Sequence, residues 1–340
     1  MYPSISFNDV DFVNKLILKF KANGLVVIND IFSDSECDIM VDNIVNNFIK
    51  LCSGIDKNKI SETWIPENLP SQTKSGLFQT LVSNLQTIWE IRSNQKIKTI
   101  FEILYSNFKQ REIKDFIVSG DAINLKPGII GPYTTKKSRD WAHLDQTIKN
   151  DIYKCVQGQV VLTNTTASFV STPTSHLIFD KIMDELQVDC DDNWLKFNDK
   201  QLKTIKKLID KNLWQIPILS KKGSFIVWSS TLIHSARFQI GYESEKPNDK
   251  YFGWRCIVYV CYRPKEEFTE EELKKRIDAF ESNKVTNHWS QKIMSKKPGR
   301  ETYDNKKNNE IKKLLDNPLL VYDILGKPIL TIEQQKLIGL

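Results

Sequence analysis

The segment Trp141-Ala142-His143-Leu144-Asp145-Gln146 decides the interpretation of this 340-residue chain. In an extended strand, residues i and i+2 point to the same side, so His143 and Asp145 can reach one ion together. A second segment, Trp228-Ser229-Ser230-Thr231-Leu232-Ile233-His234, supplies another imidazole much later in the chain. A His-X-Asp tripeptide arises easily by chance in a chain with 4 histidines and 42 acidic residues, so the interpretation depends on strand placement.

Strands are predicted around and after the second histidine. The run Gly223-Ser224-Phe225-Ile226-Val227-Trp228 is rich in β-branched and aromatic residues, which predicts a strand with His234 at or just past its end. The run from Trp254 to Tyr262 predicts the next strand. Alternation places four side chains of that strand on one face: Arg255, Ile257, Tyr259 and Cys261.

Two imidazoles and one carboxylate form the set that holds Fe(II) on three adjacent positions and leaves the others open for a co-substrate and O2. Zinc is the rival ion, but a structural zinc site prefers four closed ligands and cysteine pairs. The sequence has no Cys-X-X-Cys. Of the other histidines, we expect His176 to be structural and satisfied by nearby backbone, and His288 to lie in a polar tail remote from any strand.

Further segments accompany these motifs. They are Asn23-Gly24-Leu25-Val26-Val27-Ile28, Glu36-Cys37, Trp89-Glu90-Ile91-Arg92, Val118-Ser119-Gly120-Asp121-Ala122-Ile123-Asn124, Cys155-Val156-Gln157-Gly158 and Pro173-Thr174-Ser175-His176. These segments, the two metal motifs and the Trp254 strand occur in the same order along the chain as in a known family. Together they resemble the phytanoyl-CoA dioxygenase-like branch of the Fe(II)- and 2-oxoglutarate-dependent oxygenases. The resemblance covers most of the chain, with gaps. Asn287-His288-Trp289 and the later Lys297-Pro298 look like a tail found in viral and algal relatives.

The resemblance implies a ligand set and cofactors. It makes His143, Asp145 and His234 the iron ligands, with Fe(II), 2-oxoglutarate and O2 as cofactor and co-substrates. It also implies a basic residue after His234 that binds the distal carboxylate of 2-oxoglutarate. Arg255 and Arg237 compete for this role. We favour Arg255 because it opens the strand after the distal histidine and because a guanidinium matches a carboxylate in bidentate fashion.

Other polar residues on predicted strands are candidates for the co-substrate pocket. Asn124 and Lys126 share one strand face, and Gln157 and Gln159 share another. The alternative is that they are ordinary polar positions of a half-exposed sheet. For Trp141 and Trp228, we expect core packing.

The element pattern predicts an α+β protein. We expect a single oxygenase domain over 1–340, with a mainly helical region over 1–114, a core over 115–265 and a helical, lysine-rich region over 266–340. The core is expected to be a double-stranded β-helix, a cupin-like jelly roll with flanking helices. A helical insertion at about 180–213 is a candidate substrate lid. The expected local elements are a helix over 8–22, a strand over 25–29, a capped helix from Ser33 to about Leu51, helices from near Leu77 to about Phe108, and a capping box over 269–272.

Composition is typical of a soluble enzyme, with 40% hydrophobic residues. Six scattered cysteines, three of them in predicted strands, favour free thiols in a reducing compartment. Without a signal peptide or apolar span, we expect a cytoplasmic protein, and its many Asn, Lys and Ile residues are typical of an AT-rich genome such as that of a large DNA virus. The net charge of +6 invites nucleic-acid binding, but acidic residues interleave with the lysine clusters.

Three functional hypotheses follow. The first is an active 2-oxoglutarate oxygenase that hydroxylates a small molecule or a modified side chain. The second is a jelly-roll binding or structural protein without turnover. The third is an oxygenase acting on nucleic acid. The sequence does not choose the substrate, because one scaffold serves many substrates.

Overall fold

The computed structural model describes residues 4–70, 72–73, 76–127, 141–164, 167–188, 194–238, 249–251, 253–291, 302–303 and 308–340, and at 61, 72–73, 167–168, 237–238 and 302–303 it describes the backbone alone. Its strands are β1 (Ser4–Ser6), β2 (Leu25–Asn29), β3 (Gln72–Thr73), β4 (Leu77–Phe78), β5 (Phe116–Val118), β6 (Ile123–Lys126), β7 (His143–Leu144), β8 (Val156–Val161), β9 (Ala167–Ser171), β10 (Leu195–Lys196), β11 (Ile216–Ile218), β12 (Ser224–Ser229), β13 (His234–Phe238), β14 (Arg255–Tyr259), β15 (Tyr262–Pro264) and β16 (Thr302–Tyr303). Its α-helices are α1 (Phe12–Asn23), α2 (Asp34–Leu51), α3 (Ile60–Thr63), α4 (Gln86–Arg92), α5 (Gln95–Lys109), α6 (Phe179–Leu186), α7 (Asp199–Leu208), α8 (Glu270–Glu281), α9 (Asn309–Asp316), α10 (Leu320–Leu325) and α11 (Ile332–Ile338).

In the described part of the chain, most strands form two sheets. The larger has the order β1-β2-β12-β8-β14-β6-β4-β3-β16, and the smaller has the order β10-β7-β13-β9-β11. Strands β15 and β5 pair separately. Neighbouring strands are antiparallel, except that β1 runs parallel to β2. The chain is therefore a mixed α and β protein whose strands meet mainly through antiparallel ladders.

Alternation along β12 sorts its side chains between two cores. Phe225 and Val227 join a large cluster with the helices that cover the larger sheet, including Phe101 of α5. Ile226 and Trp228 join a second cluster that contains Phe169 of the smaller sheet. The two sheets thus face each other across the second cluster, at one end of which the predicted ligands lie.

The insertion packs on the far side of the smaller sheet. Its helices α6 and α7 bury apolar side chains against residues next to the predicted ligands, including Leu144 and Ile233. Strand β10 joins the sheet itself, with Leu195 opposite Leu144 and Lys196 opposite His143. The expected helical character of the insertion is confirmed for α6 and α7, and its role as a lid stays a prediction.

Local signals placed several helices correctly. Ser33 and Glu36 form the capping box that begins α2, and Thr269 and Glu272 form the one that begins α8. The helix expected from residue 8 begins only at Phe12, and the stretch between α2 and β3 contains the short helix α3.

Other expectations were wrong. Leu77 lies in β4 rather than in a helix, because its backbone pairs with Asn124 across the larger sheet and this pairing overrides local helical spacing. His234 does not end β12, which stops at Ser229. After a turn, His234 begins β13 in the smaller sheet.

Five cysteines are buried free thiols in the described residues: Cys37, Cys52, Cys155, Cys256 and Cys261. Cys190 lies outside the described residues. Of the three expected within strands, only Cys256 is inside one, since Cys155 precedes β8 and Cys261 separates β14 from β15. Among the described helices, none has the length and apolar character needed to cross a membrane.

Candidate metal centre and its pocket

An antiparallel ladder brings the two histidines together. His234, the first residue of β13, pairs directly with His143, the first residue of β7. Side chains of directly opposed residues lie on the same face, and the two imidazole centroids are 4.3 Å apart. Asp145 follows β7, with its carboxylate 3.1 Å from Nε2 of His234 and 3.9 Å from Nε2 of His143. One ligand atom from each of the three residues lies within 4.8 Å of the others.

Hydrogen bonds to the backbone fix which nitrogen each histidine offers. Nδ1 of His143 lies 3.2 Å from the carbonyl oxygen of Trp141, and Nδ1 of His234 lies 2.8 Å from that of Leu232. Nδ1 therefore carries the proton in each ring, and the lone pair of Nε2 faces Asp145. Gln157 donates from Nε2 to Oδ2 of Asp145 at 2.9 Å, which orients the carboxylate. This donor set fits a divalent cation of the iron type.

Burial sets the charge of these groups. Burial, with help from His234, lowers the pKa of His143 to about 3, so this imidazole is neutral near pH 7 and able to bind a metal. Burial alone would raise the pKa of Asp145, but the surrounding histidines, His288 foremost, outweigh it and hold the pKa below its usual value. The site therefore offers the neutral imidazole of His143 and the carboxylate anion of Asp145.

The three ligands open into a cavity of about 440 Å³. Trp141 stacks on the ring of His143, with centroids 4.7 Å apart and planes 13° apart. The expectation of core packing for Trp141 and Trp228 was incomplete, since both also line the cavity. The other aromatic residues of the wall are Phe169, Trp194 and Tyr259. The polar and charged residues of the wall, besides the ligands, include Gln79, Asp121, Gln157, Gln159, Arg255, Asn287 and His288.

Arg255 is buried in the wall of this cavity. Its Nε atom has no hydrogen-bond partner among the described residues, and burial lowers its pKa. Lys126 stands opposite Arg255 in the ladder between β14 and β6. Burial and then Arg255 lower the pKa of Lys126 to about 8. Two positive groups thus adjoin each other in the larger sheet, and one of them, Arg255, lines the cavity with the metal ligands, an arrangement that attracts an anion.

The remaining pocket candidates divide into groups. Gln157 and Gln159 line the cavity. Asn124 is buried on β6, opposite Ile257 of β14, and it is not part of the cavity wall. Lys126 is likewise not part of the wall. The side chain of Arg237 lies outside the described residues, although its backbone pairs with that of Ser168.

The position predicted for residues 287–289 was wrong. His288 was expected far from any strand, yet it lines the cavity, with Nε2 3.4 Å from the carbonyl oxygen of Asp145. The indole of Trp289 donates to the same carbonyl at 2.8 Å. No periodic signal in the sequence could have found this contact, because it joins residues 144 positions apart.

The structural role expected for His176 is confirmed. Its Nε2 lies 2.9 Å from the carbonyl oxygen of Lys21, so Nε2–H donates to backbone. Gly24, at a φ of 76°, approaches the ring so closely that an added Cβ would lie 2.6 Å from Nδ1. His176 therefore anchors the turn after α1 and does not reach the metal ligands.

Comparisons with known proteins support the fold. No protein-family model matches the sequence, and a search of curated proteins finds no match. The structure of GlcNAc Inducible Gene 2 protein (DUF1479) from Candida albicans superimposes with a TM-score of 0.56 at 15% identity, over 99% of this chain and 83% of that one. A hypothetical protein from Escherichia coli gives a TM-score of 0.58 at 12% identity, over 100% and 85% of the two chains. At such low identity these likenesses show a shared fold alone.

Proposed function

We propose that the protein is an Fe(II)- and 2-oxoglutarate-dependent dioxygenase that hydroxylates a C–H bond of a small molecule or a modified side chain. The observation that carries this proposal is the triad of His143, Asp145 and His234 at the wall of a cavity that also contains the buried Arg255. Three ligands on one side of an ion leave its other positions open for a co-substrate and O2.

Each polar residue of the site has a distinct role in this proposal. The backbone carbonyls hold Nε2 of both histidines toward the ion, and Gln157 orients Asp145. Arg255 binds the distal carboxylate of 2-oxoglutarate, and Lys126 adds positive charge behind it. When bound, iron and 2-oxoglutarate together supply the oxidising power that converts O2 and a C–H bond into an alcohol, succinate and CO2. The aromatic wall excludes water and holds the substrate.

We also propose a fold and a family for the chain. We assign the facing sheets to a double-stranded β-helix and the chain to the phytanoyl-CoA dioxygenase-like branch, with 1–340 forming one oxygenase domain. The antiparallel ladders, the ligand placement on β7 and β13, and the sequence resemblance support this assignment. A protein that acts on nucleic acid would share the metal centre and differ in its partner.

The first test measures binding. Calorimetry of the full chain with Mn(II) in place of iron gives the affinity for 2-oxoglutarate in the absence of turnover. We expect Arg255→Ala to weaken 2-oxoglutarate binding by about 30-fold or more, because it removes the partner of a buried charge, and to leave Mn(II) affinity unchanged. Arg237→Ala tests the competing arginine, and the exposed Arg111→Ala is the matched control.

The second test measures turnover. Aerobic incubation with Fe(II) and 2-oxoglutarate should release succinate from the wild type and none from His143→Ala. Mn(II) binding without any 2-oxoglutarate binding would contradict the proposal and leave a metal-binding protein of another class. Binding of both without succinate release, even with a library of candidate substrates, would favour the jelly-roll binding protein.

A further inference from the structure

One carboxylate in the cavity has no place in the metal centre. Asp121 lines the cavity beside the ligands, yet it lies in the loop between β5 and β6 rather than on a ligand strand. Asp145 is taken up by the metal and Arg255 by the co-substrate in the proposed function. Asp121 is therefore the acidic residue of the cavity wall that remains available to contact a substrate.

The backbone around Asp121 is held in place by buried groups. Its carbonyl oxygen accepts hydrogen bonds from Nη2 of Arg92 at 2.5 Å and from Oγ of Ser83 at 2.9 Å. Arg92 is fully buried, and its other amino group donates to the carbonyl of Ser83 at 2.7 Å. A fully buried arginine that binds backbone carbonyls is costly, because its charge is removed from water. This cost is consistent with a requirement that the backbone at Asp121 be held in place.

The preceding residue is fixed from the other side. The N–H of Gly120 donates to Oγ1 of Thr286 at 2.9 Å, and its carbonyl accepts from Ser83 at 2.6 Å. A second buried arginine, Arg276, donates to the carbonyl of Val118 and to Thr286. Hydrogen bonds from α4, α8 and the segment before His288 thus hold the backbone of the loop that carries Asp121, and its side chain lines the cavity.

The carboxylate itself is incompletely paired. Oδ1 of Asp121 accepts from the N–H of Ala122 at 2.6 Å. No lysine or arginine forms an ion pair with Asp121 among the described residues, and the charged groups that act on it from further away are His288, Arg92 and Asp145. Burial raises its pKa against the opposing effects of His288, Ala122 and Arg92. A cation placed beside this carboxylate would relieve an unfavourable burial of charge.

The rest of the wall suits a cation as well. Trp141, Trp194, Trp228 and Tyr259 line the same cavity, and aromatic faces attract organic cations through their quadrupoles. Trp194 is 49% exposed, so an indole stands at the rim in the path of an entering ligand. A volume of about 440 Å³ is in the range of small-molecule sites.

We propose that the cavity takes a substrate that is a small organic cation, a protonated amine or a quaternary ammonium compound, with its charged nitrogen beside Asp121 and its carbon skeleton against the tryptophans. The identity of this ligand as a substrate rests on the proposed function. Its recognition by charge does not, because Asp121 and the aromatic wall are present without metal or 2-oxoglutarate.

The test compares sets of ligands that are similar in size and shape and differ in charge. Choline is paired with 3,3-dimethyl-1-butanol and 3,3-dimethylbutanoate, and benzylamine with benzyl alcohol and benzoate. Ligand-observed NMR and tryptophan fluorescence titrations give affinities for the full chain without added metal and again with Mn(II) and 2-oxoglutarate. We expect the cations to bind at least about tenfold more tightly than their neutral partners in both conditions, a preference worth about 1.4 kcal/mol. They should also bind more tightly than the anionic partners once 2-oxoglutarate covers Arg255.

Two variants and one control determine which residues cause the preference for cations. Asp121→Asn keeps the shape of the side chain and should abolish the preference for cations, whereas the exposed Asp323→Asn should keep it. Trp194→Ala, at an exposed position where folding is not at risk, should weaken choline binding more than 3,3-dimethyl-1-butanol binding. Equal binding of charged and neutral partners, absence of binding by every cation, or a preference that survives in Asp121→Asn would overturn the proposal. Failure of 2-oxoglutarate to bind would count against the proposed function alone.

Discussion

Backbone carbonyls, more than side chains, determine the chemistry of the two metal-binding histidines. The carbonyls of Trp141 and Leu232 each accept from an Nδ1–H, so each ring can offer only Nε2 to an ion. Both carbonyls belong to residues two positions before the histidine that they hold. The arrangement is therefore local, and any chain that places these backbones correctly also sets both tautomers.

His176, which lies outside the metal centre, should cause part of the loss of folding stability at acid pH. Burial lowers the pKa of His176 from 6.5 to about 4, against the opposing effect of its hydrogen bond to Lys21. The unfolded chain therefore takes up a proton near pH 6.5 that the folded protein refuses until about pH 4. Stability from this group is complete above pH 6.5 and is lost as the pH falls toward 4, by about 3 kcal/mol at most.

Urea unfolding between pH 7 and pH 4 measures this loss. His176→Gln keeps a donor for the carbonyl of Lys21 and cannot be protonated, so its free energy of unfolding should fall less steeply than that of the wild type. Equal slopes for the two proteins would show that other groups cause the acid sensitivity.

At the level of elements, the segment after α8 acts as a brace for the ligand Asp145. Trp289 donates its indole N–H to the carbonyl of Asp145, and the guanidinium of Arg263 lies over the indole ring, 5.0 Å from its centroid. The local elements on which the site depends were predictable, because alternation encodes β12 and β14 and capping residues encode α2 and α8. The contact of Trp289 with Asp145 was not predictable, because a tryptophan in a polar segment gives no local indication of a partner that is distant in sequence.

Trp289→Phe removes the hydrogen bond and keeps an aromatic ring. We expect Mn(II) affinity to fall by about tenfold, the lower end of the effect of losing a group that supports a metal ligand. Trp64→Phe is the matched control, because the indole N–H of Trp64 has no partner to lose. Calorimetry measures both. Unchanged affinity in Trp289→Phe would mean that the brace does not position Asp145.

At the scale of the whole molecule, the site lies where separate parts of the chain meet. His143 begins one short strand and Asp145 follows it, His234 begins another strand, and Arg255 belongs to the opposite sheet. Asp121 and His288 come from segments between strands and helices. The triad could be proposed from sequence because its spacing and strand contexts are local. Asp121 could not, because its function depends on the buried arginines that hold its turn.

Removal of the metal should therefore lower the stability of the whole folded chain. An ion that binds the folded chain alone stabilises it by about 2.7 kcal/mol at a concentration 100 times its Kd. We expect chelation of Mn(II) or Fe(II) from the wild type to lower the thermal midpoint by a few degrees and to leave the midpoint of His143→Ala unchanged. Differential scanning calorimetry checks this. Equal shifts in both proteins would mean that the chelator acts elsewhere.

Because β10 pairs with β7, we predict that ligand binding at the mouth of the cavity and ion binding at the metal centre are thermodynamically linked. Trp194 at the rim is the residue before β10, and Lys196 of that strand is opposite His143. A ligand that orders Trp194 favours the same ladder that an ion orders through His143. Reciprocity then requires each to raise the affinity of the other by the same factor. The fluorescence of Trp194 would accordingly report metal occupancy from a position that no metal touches.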